Sequence, residues 1–290
     1  MATRWAVSSS ASSARYFVTL QDVSSTAAVR TGPRRRRPPA SMPISSGTIK
    51  FISSLRQKKV RQNYHKFTAE GGRIVGELLR QERYRVDHVY ALESWVHNVD
   101  PKSNVPLTQV SPRELSRMSQ LTTPNQVLAV VDIPAGPDPL PDDLDTGWSL
   151  YLDGLQSPSN LGALLRIADW FGFSNVFGGP GTADLYNAKS IQASMGSFLR
   201  VDYREMTLEA ITAPFPGLTV FGADLVGENV HRIDPPGAGL LVIGAEGPGI
   251  REETRERINR WLTIPQAPGR SAESLNAAVA AGILCSALRR

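Results

Sequence analysis

Three short segments of this 290-residue chain hold polar side chains and glycines in arrangements that could do chemistry. In the first, Leu152 to Ala168, an apolar strand-like run passes through the polar loop Gln156-Ser-Pro-Ser-Asn160 into a helical pattern carrying Arg166. Ligands of α/β sheets sit at the carboxyl ends of strands, where such a loop falls. A helix starting near Leu161 would be capped by Asn160 and project Arg166 from its second turn. In the second segment, Leu240 to Ile250, a buried-strand run ends at Gly244, and Glu246 stands inside a glycine-rich turn. Glycine there permits positive φ and close approach of a ligand to the backbone. The spacing fits neither a Walker A loop nor GxGxxG, and no lysine follows. In the third, Ile264 to Ile283, a Pro/Gly loop leads to Ser274-Leu-Asn276. Ser274 is the expected cap of a helix with an apolar stripe of Leu275, Val279, Gly282 and Ile283, kept slim by its alanines. No His or Cys lies in any of the three, and a guanidinium stays protonated, so no ordinary general base is present. What remains is alignment and charge stabilisation by amide, hydroxyl, carboxylate and guanidinium groups. Taken singly, each segment reads equally as a capped helix or a tight turn with solvated side chains.

The scaffold for these segments is an alternation of strands and helices over 148–290. Trp148–Leu152, Leu218–Gly222 and Leu240–Ile243 are strand-like, and helices are expected near 160–171, 187–195, 249–258 and 274–288. Such alternation implies a mostly parallel sheet covered by helices. Residues 134–147 hold four prolines and four aspartates and read as a linker. Residues 42–133 read as a small α/β unit. The spacing of Phe67, Ile74, Val75, Leu78 and Leu79 predicts a helix over 67–82, Val86–Leu92 and Val127–Val131 are strand-like, and Ser111-Pro112 marks a helix start.

The net charge is +5, but residues 1–41 alone carry +6, leaving −1 for the rest. That Ser/Ala/Arg/Pro-rich stretch has little apolar periodicity and reads as a basic disordered tail, an organellar transit peptide, or an extension ahead of a true start at Met42. Lys50, Arg56, Lys58, Lys59, Arg61 and Lys66 form a local basic cluster with Tyr64 and His65 interleaved and no acid among them. Such a cluster can track phosphates and stack on bases, or simply be a solvated helix face. One cysteine, Cys285, excludes an internal disulfide, and with four scattered histidines no metal site is expected. No apolar run is long enough for a membrane span.

In order and joint content the three segments resemble the motifs of the SpoU/TrmH branch of the SPOUT methyltransferases, over residues 148–290. Asn160, Gly162 and Arg166 fall on the first motif, Gly244, Glu246 and Gly249 on the second, and Ile264, Pro265, Ser274, Leu275 and Asn276 on the third. Asp184-Leu-Tyr and Ala193-Ser-Met-Gly-Ser197 are also similar to family sequence. Ser157-Pro158 stands where the family often has Asp-Pro, and Ala277-Ala278 where it usually has Val-Ser; neither departure removes a residue given a direct chemical role. Ser53–Lys59, Phe67–Gly71, Glu77–Leu79 and Thr123–Val127 make residues 42–133 similar to the L30e-like substrate domain that precedes this catalytic domain in relatives.

The resemblance implies an α/β fold of SPOUT type, a parallel sheet flanked by helices with a C-terminal trefoil knot, preceded by the L30e-like domain. It implies S-adenosylmethionine as methyl donor and a ribose 2′-OH of RNA as acceptor, ribosomal RNA ahead of tRNA, since the chain ends directly after the third motif. Asn160, Arg166, Glu246, Ser274 and Asn276 are the implied catalytic residues, with Arg166 acting on an RNA phosphate that helps accept the hydroxyl proton. Ala223, Ile243, Gly244, Ile264 and Leu275 are implied to hold the cofactor, mainly through backbone groups. A homodimer through the last domain is implied, with the slim last helix either at the interface or in the monomer core. The implied location is cytoplasmic, or organellar if residues 1–41 are a transit peptide. Two other readings stay open. A non-catalytic RNA-binding or ribosome-assembly protein on this fold is opposed by the five intact polar residues. A nucleotide-dependent enzyme on a doubly wound fold is opposed by the missing GxGxxG and P-loop.

Overall fold

In the computed structural model, which describes residues 44–97, 104–136 and 139–289, the tail 1–41 lies outside the described residues. The first folded unit runs α1 (Ser46–Ser54), α2 (Lys58–Tyr64), β1 (Lys66–Glu70), α3 (Gly72–Leu78), β2 (Val86–Ala91), α4 (Glu93–Val96), β3 (Leu107–Gln109), α5 (Pro112–Met118) and β4 (Val127–Asp132). Its sheet has the order β1-β4-β2-β3, with β4 antiparallel to both neighbours and β2 parallel to β3. The period of two sorts side chains between faces. Phe67, Ala69, Val127, Ala129 and Val131 pack with α3, whereas Tyr90, Leu128 and Val130 pack with α1 and α5. The helix start at Ser111 is present as a full capping box with Glu114 and with Pro112 in the first turn. The helix expected over 67–82 is not: Phe67 lies in β1 opposite Val131, and only Gly72–Leu78 is helical. Pairing with a strand sixty residues away buries Phe67 completely. Gly71, at φ 101°, then turns the chain and stops any helix running through.

The second unit runs β5 (Trp148–Asp153), α6 (Pro158–Phe171), β6 (Asn175–Gly178), α7 (Ala188–Ser194), β7 (Asp202–Glu205), α8 (Leu208–Thr212), β8 (Val220–Asn229), β9 (Gly239–Gly244), α9 (Glu252–Arg255), β10 (Arg260–Thr263) and α10 (Ala277–Leu288). The strands order as β10-β8-β9-β5-β6-β7, all neighbours parallel. β5 is buried along its whole length, as a strand covered on both faces must be. Leu150 and Leu152 join a core with α6 and α10, and Tyr151 joins another with Leu208 and Ile211. Both expected caps shift. Pro158, which has no N–H to satisfy, occupies the first turn of α6, and Ser157 is the cap, accepting from the Asn160 amide at 3.3 Å. On α10 the cap is Asn276, not Ser274; its Oδ1 accepts from the amides of Ala278 and Val279 at 3.0 and 3.3 Å. The helix expected over 249–258 shortens to α9. The buried face of α10 is Ala277, Ala278, Ala281, Leu284, Cys285 and Leu288, so the stripe begun by Leu275 and Val279 turns outward, these two being 49% and 53% exposed.

Residues 134–147 do not hang free between the units. Leu144 is buried in the Tyr151 core with Leu140 beside it, and Arg204 donates to the Pro139 carbonyl at 2.6 Å. The two units also share one core, in which Phe67 and Tyr84 meet Phe198 and Tyr186. Ion pairs Arg61–Asp184, Arg83–Asp202 and Arg200–Glu77 also join the units. Among the described residues no helix is long and apolar enough to cross a membrane, and no cluster of His, Cys, Asp and Glu could hold a metal ion.

Candidate active site

The three polar segments meet at one side-chain amide. Asn160 is the third residue of α6, its place set by the Ser157 cap and Pro158. Its Nδ2 donates to Glu246 Oε1, 86 residues away in sequence. Its Oδ1 accepts from Asn276 Nδ2, 116 residues away, at 3.4 Å, near the weak limit for such a bond. Because the Asn276 Oδ1 is committed to capping α10, the orientation of its Nδ2 is held from behind.

Glu246 owes its position to a turn folded tightly on itself. A Cβ on Gly244 would meet the carbonyl carbon of Gly249 and lie 2.6 Å from the Ile250 amide nitrogen, so only glycine lets the turn close there. Ala245 and Gly249 exchange backbone hydrogen bonds at 3.0 Å, with Gly247 and Gly249 at positive φ of 88° and 72°. Arg251, just past the turn, grips Asp153 at the end of β5. Its backbone amide donates to Oδ2 at 2.7 Å, Nε to Oδ1 at 2.8 Å, and Nη2 also to Oδ1. Asp153 is fully buried, and its hydrogen bonds raise the Arg251 pKa still further. This charge-assisted pair ties the turn bearing Glu246 to the strand that feeds α6. Reasoning from sequence missed it; the available signal was an acid ending one strand and an arginine following the turn of another. Gly162 completes the frame: a Cβ there would touch the Ser190 carbonyl and lie 2.6 Å from Ala193 Cβ, so α6 can approach α7 only through glycine.

Arg166 and Ser274 are exposed, and neither makes a hydrogen bond or ion pair with a described residue. Arg166 stands about 9 Å along the helix axis from Asn160, on a different face. The geometry therefore joins Asn160, Glu246 and Asn276 and leaves the other two free to meet a ligand. Of the residues expected at a cofactor, Ile243 and Gly244 close β9 and Ile264 follows β10. Ala223 begins an outward bulge of β8, where the register with β10 jumps from Gly222–Trp261 to Glu228–Leu262. The Ile243 side chain is buried and can offer only its backbone, and Leu275 is half exposed. Residues 265–275 make no backbone–backbone hydrogen bond with any described residue. Apart from the Ala272 carbonyl, which accepts from Gln266 Nε2 at 2.8 Å, their carbonyls and non-proline amides suit a neutral, hydrogen-bonding ring such as adenine, and the Glu246 carboxylate suits a cationic neighbour such as a sulfonium. The residues present thus fit S-adenosylmethionine.

Of the six cations in the basic cluster, Lys50, Arg56, Lys58 and Lys59 are exposed. Arg61 and Lys66 are corrections. Arg61 is only 3% exposed, with Nη1 donating to the carbonyls of Leu55 and Arg56 at 2.7 and 2.8 Å and Nη2 to Asp184. Lys66 bridges Asp132 and Asp87 at 2.6 and 3.1 Å. Burial pulls its pKa down, but the two carboxylates outweigh this and hold it above the usual lysine value. Both charges are already spent inside the protein.

Comparison with known proteins gives a consistent picture. The model of the SpoU rRNA Methylase family matches residues 147–286, and that of the MRM3-like substrate binding domain matches residues 47–129. The 23S rRNA (guanosine(2553)-2′-O)-methyltransferase RlmP of Bacillus subtilis is 29% identical over 245 residues, covering 83% of this chain and 95% of that protein. The 23S rRNA (guanosine-2′-O-)-methyltransferase RlmB of Ralstonia nicotianae is 38% identical over 138 residues, and the chain spans only 55% of its length. A TrmH-family structure from Porphyromonas gingivalis superposes with a TM-score of 0.76 at 38% identity, covering 86% of this chain and 99% of that one. The AdoMet-bound rRNA methyltransferase of Sinorhizobium meliloti superposes with a TM-score of 0.74 at 26% identity, covering 84% and 94%.

Proposed function

Because the chain belongs to the SpoU methylase family, we propose that it transfers a methyl group from S-adenosylmethionine to a ribose 2′-OH of ribosomal RNA. Fold alone would not carry this. The observation that carries it is the meeting of Asn160, Glu246 and Asn276 beside a glycine turn and a stretch of free backbone at the sheet's carboxyl edge. When bound, the donor supplies a methyl group already activated by a positive sulfur. The chain's own task is to align the hydroxyl and stabilise the charge that develops on it. Asn160 and Glu246 order the ribose and the turn, and Ser274 Oγ and Asn276 Nδ2 hold the hydroxyl or its neighbours. Arg166, unpartnered and permanently charged, positions an RNA phosphate that helps take the proton. Ala223, Ile243, Gly244, Ile264 and Leu275 hold the donor chiefly through backbone groups.

In this reading residues 42–133 bind the RNA, with Lys50, Arg56, Lys58 and Lys59 at its surface, 134–147 connect, and 148–290 carry out transfer. A trefoil knot is supported by the course of the last segment, which leaves β10 at the sheet edge and returns so that α10 packs on α6. A homodimer is supported by the outward stripe of α10. Val279, Gly282, Ile283 and Phe171 line a cleft of about 450 Å³ there, and Trp170 at the end of α6 is 83% exposed. Large apolar side chains exposed along one stripe support an association site there.

The deciding experiment measures transfer of labelled methyl from S-adenosylmethionine to unmodified ribosomal RNA and to tRNA, for wild type and Arg166→Ala. Label in ribose of ribosomal RNA that is lost with Arg166→Ala is the expected result. Confirmed donor binding with no transfer to either RNA would favour an RNA-binding role without catalysis, and absence of donor binding would overturn the reading.

A further inference from the structure

We propose that the cleft between α1 and α5 is a track for the RNA phosphate backbone, with Arg117 of α5 as a contact that the basic cluster of α1 and α2 does not contain. The proposal rests on the RNA substrate assigned above and says where that RNA lies. α1 buries Ile49, Ile52 and Leu55 beneath it. Its opposite stripe, Lys50, Ser53 and Ser54, recurs at helical spacing, Gln57 at the cap of α2 continues it, and Arg117 lines the same cleft from the last turn of α5. With Arg56 these residues line a cleft of about 470 Å³ that, among the described residues, no acidic side chain lines.

In the second unit Arg166, Lys189, Arg232, Arg270 and Arg289 form no ion pair with a described residue, whereas Arg200, Arg204, Arg251, Arg255, Arg257 and Arg260 are ion-paired. On α1, α2, α5 and the turn joining α1 to α2, Arg61 alone is; Lys50, Arg56, Lys58, Lys59, Arg113 and Arg117 form no ion pair with a described residue. Unpaired cations held close repel one another, and a polyanion relieves that repulsion while releasing its own counterions. The one acid of α5, Glu114, is bound by the Ser111 hydroxyl and amide and by the Ile44 amide; Arg117 acts on its carboxylate by charge but forms no ion pair with it. Arg56 is set in advance: Nε and Nη2 donate to the Ser53 carbonyl and hydroxyl at 3.0 and 2.9 Å, leaving Nη1 to face out. Tyr64, 58% exposed and edge-on to Phe51, offers a ring on which a base can stack.

The track is also fixed relative to the transfer site. Arg61 binds Asp184, and the neighbouring Ala183 amide donates to the Leu155 carbonyl at 2.8 Å, in the loop that leads to Asn160. RNA held on α1 and α5 is thereby set at a constant offset from the ribose to be modified, which makes the track a determinant of which nucleotide reaches it.

The test is binding of a fluorescein-labelled RNA hairpin, followed by anisotropy across a potassium chloride series, for the full chain and for Lys50→Ala/Arg117→Ala. Each lost phosphate contact lowers the slope of log K against log salt by about 0.7–0.9, so the double variant should lose about 1.4–1.8. Arg257→Ala, which removes a paired surface cation, should leave the slope unchanged. Unfolding temperature and S-adenosylmethionine binding should match wild type in both variants. An unchanged slope in the double variant, or an equal loss in Arg257→Ala, overturns the proposal, as does equal weakening of binding to phosphatidylserine vesicles. The readout needs no methyl transfer, so a changed slope in a protein that transfers nothing would refute the enzymatic reading and leave the track standing.

Discussion

Replacing Gly162 by alanine sets local preference against tertiary packing with opposite signs. In an isolated helix the change favours folding by about 0.8–1 kcal/mol. Here the new Cβ would touch the Ser190 carbonyl and lie 2.6 Å from Ala193 Cβ and 2.8 Å from the Ser194 amide nitrogen. Carbon pairs settle at roughly 3.5–4.0 Å, so α6 and α7 must separate by about 1 Å. The atoms in the way are backbone or Cβ and cannot rotate aside, which puts the cost near the upper end of the roughly 1–3 kcal/mol range for overpacking. Packing wins by about 2 kcal/mol, and unfolding should come about 4–8 °C earlier. Activity should fall further than stability, because α6 carries Asn160 and a misplacement of about 1 Å can cost on the order of 100-fold. Gly76→Ala in α3 is the control: its nearest neighbour would be Arg80 Nη2 at 3.9 Å, so it should stabilise by about 0.5–1 kcal/mol. Thermal unfolding and methyl transfer measured on both variants decide the matter. A Gly162→Ala protein at least as stable and as active as wild type would refute the packing argument.

Asp153→Asn keeps the shape but removes the charge that holds Arg251. Because the Arg251 side chain is 33% exposed, solvent softens the loss below that of a fully buried pair, to about 2–3 kcal/mol in denaturant unfolding. Methyl transfer should drop as the Glu246 turn loosens, and a change under about 0.5 kcal/mol would show that the pair is not the anchor. Burial raises the pKa of Glu70 above 4.5 despite hydrogen bonds from the Ser119 hydroxyl and the Gln120 amide. The stability it contributes is therefore full below pH 4.5 and is lost as pH rises through the folded value. Wild type should lose stability relative to Glu70→Gln as pH climbs from 4.5, and a difference that does not change with pH would contradict this. Val279→Glu places a carboxylate on the outward stripe of α10, and sedimentation should show a dimer becoming a monomer with the unfolding temperature kept. A wild type already monomeric would sink the dimer reading.

Whatever depends on neighbours in the chain could be read without coordinates. Continuous apolar runs at Leu150–Leu152 and Leu240–Ile243 announced strands covered on both faces, because such a strand has no polar position to fill. The capping box at Ser111 lies within four residues and is complete in the sequence. The types of the site residues and the family they point to were legible as well. Other features needed the folded chain. Phe67 has helical spacing with Ile74, yet it is a strand residue because Val131 pairs opposite it. Asn160 and Ser157 are both good caps, as are Asn276 and Ser274, and the choice fell where Pro158 and the contact between the two asparagines allowed. Six cations in a row look alike in sequence, but Asp184 and Asp132 withdraw Arg61 and Lys66 from solvent, and Arg117 joins the group from another helix. Propensity and periodicity act over a few residues and are written along the chain. Burial, ion pairing and close approach are relations between residues far apart in sequence, and they exist only once the chain has folded.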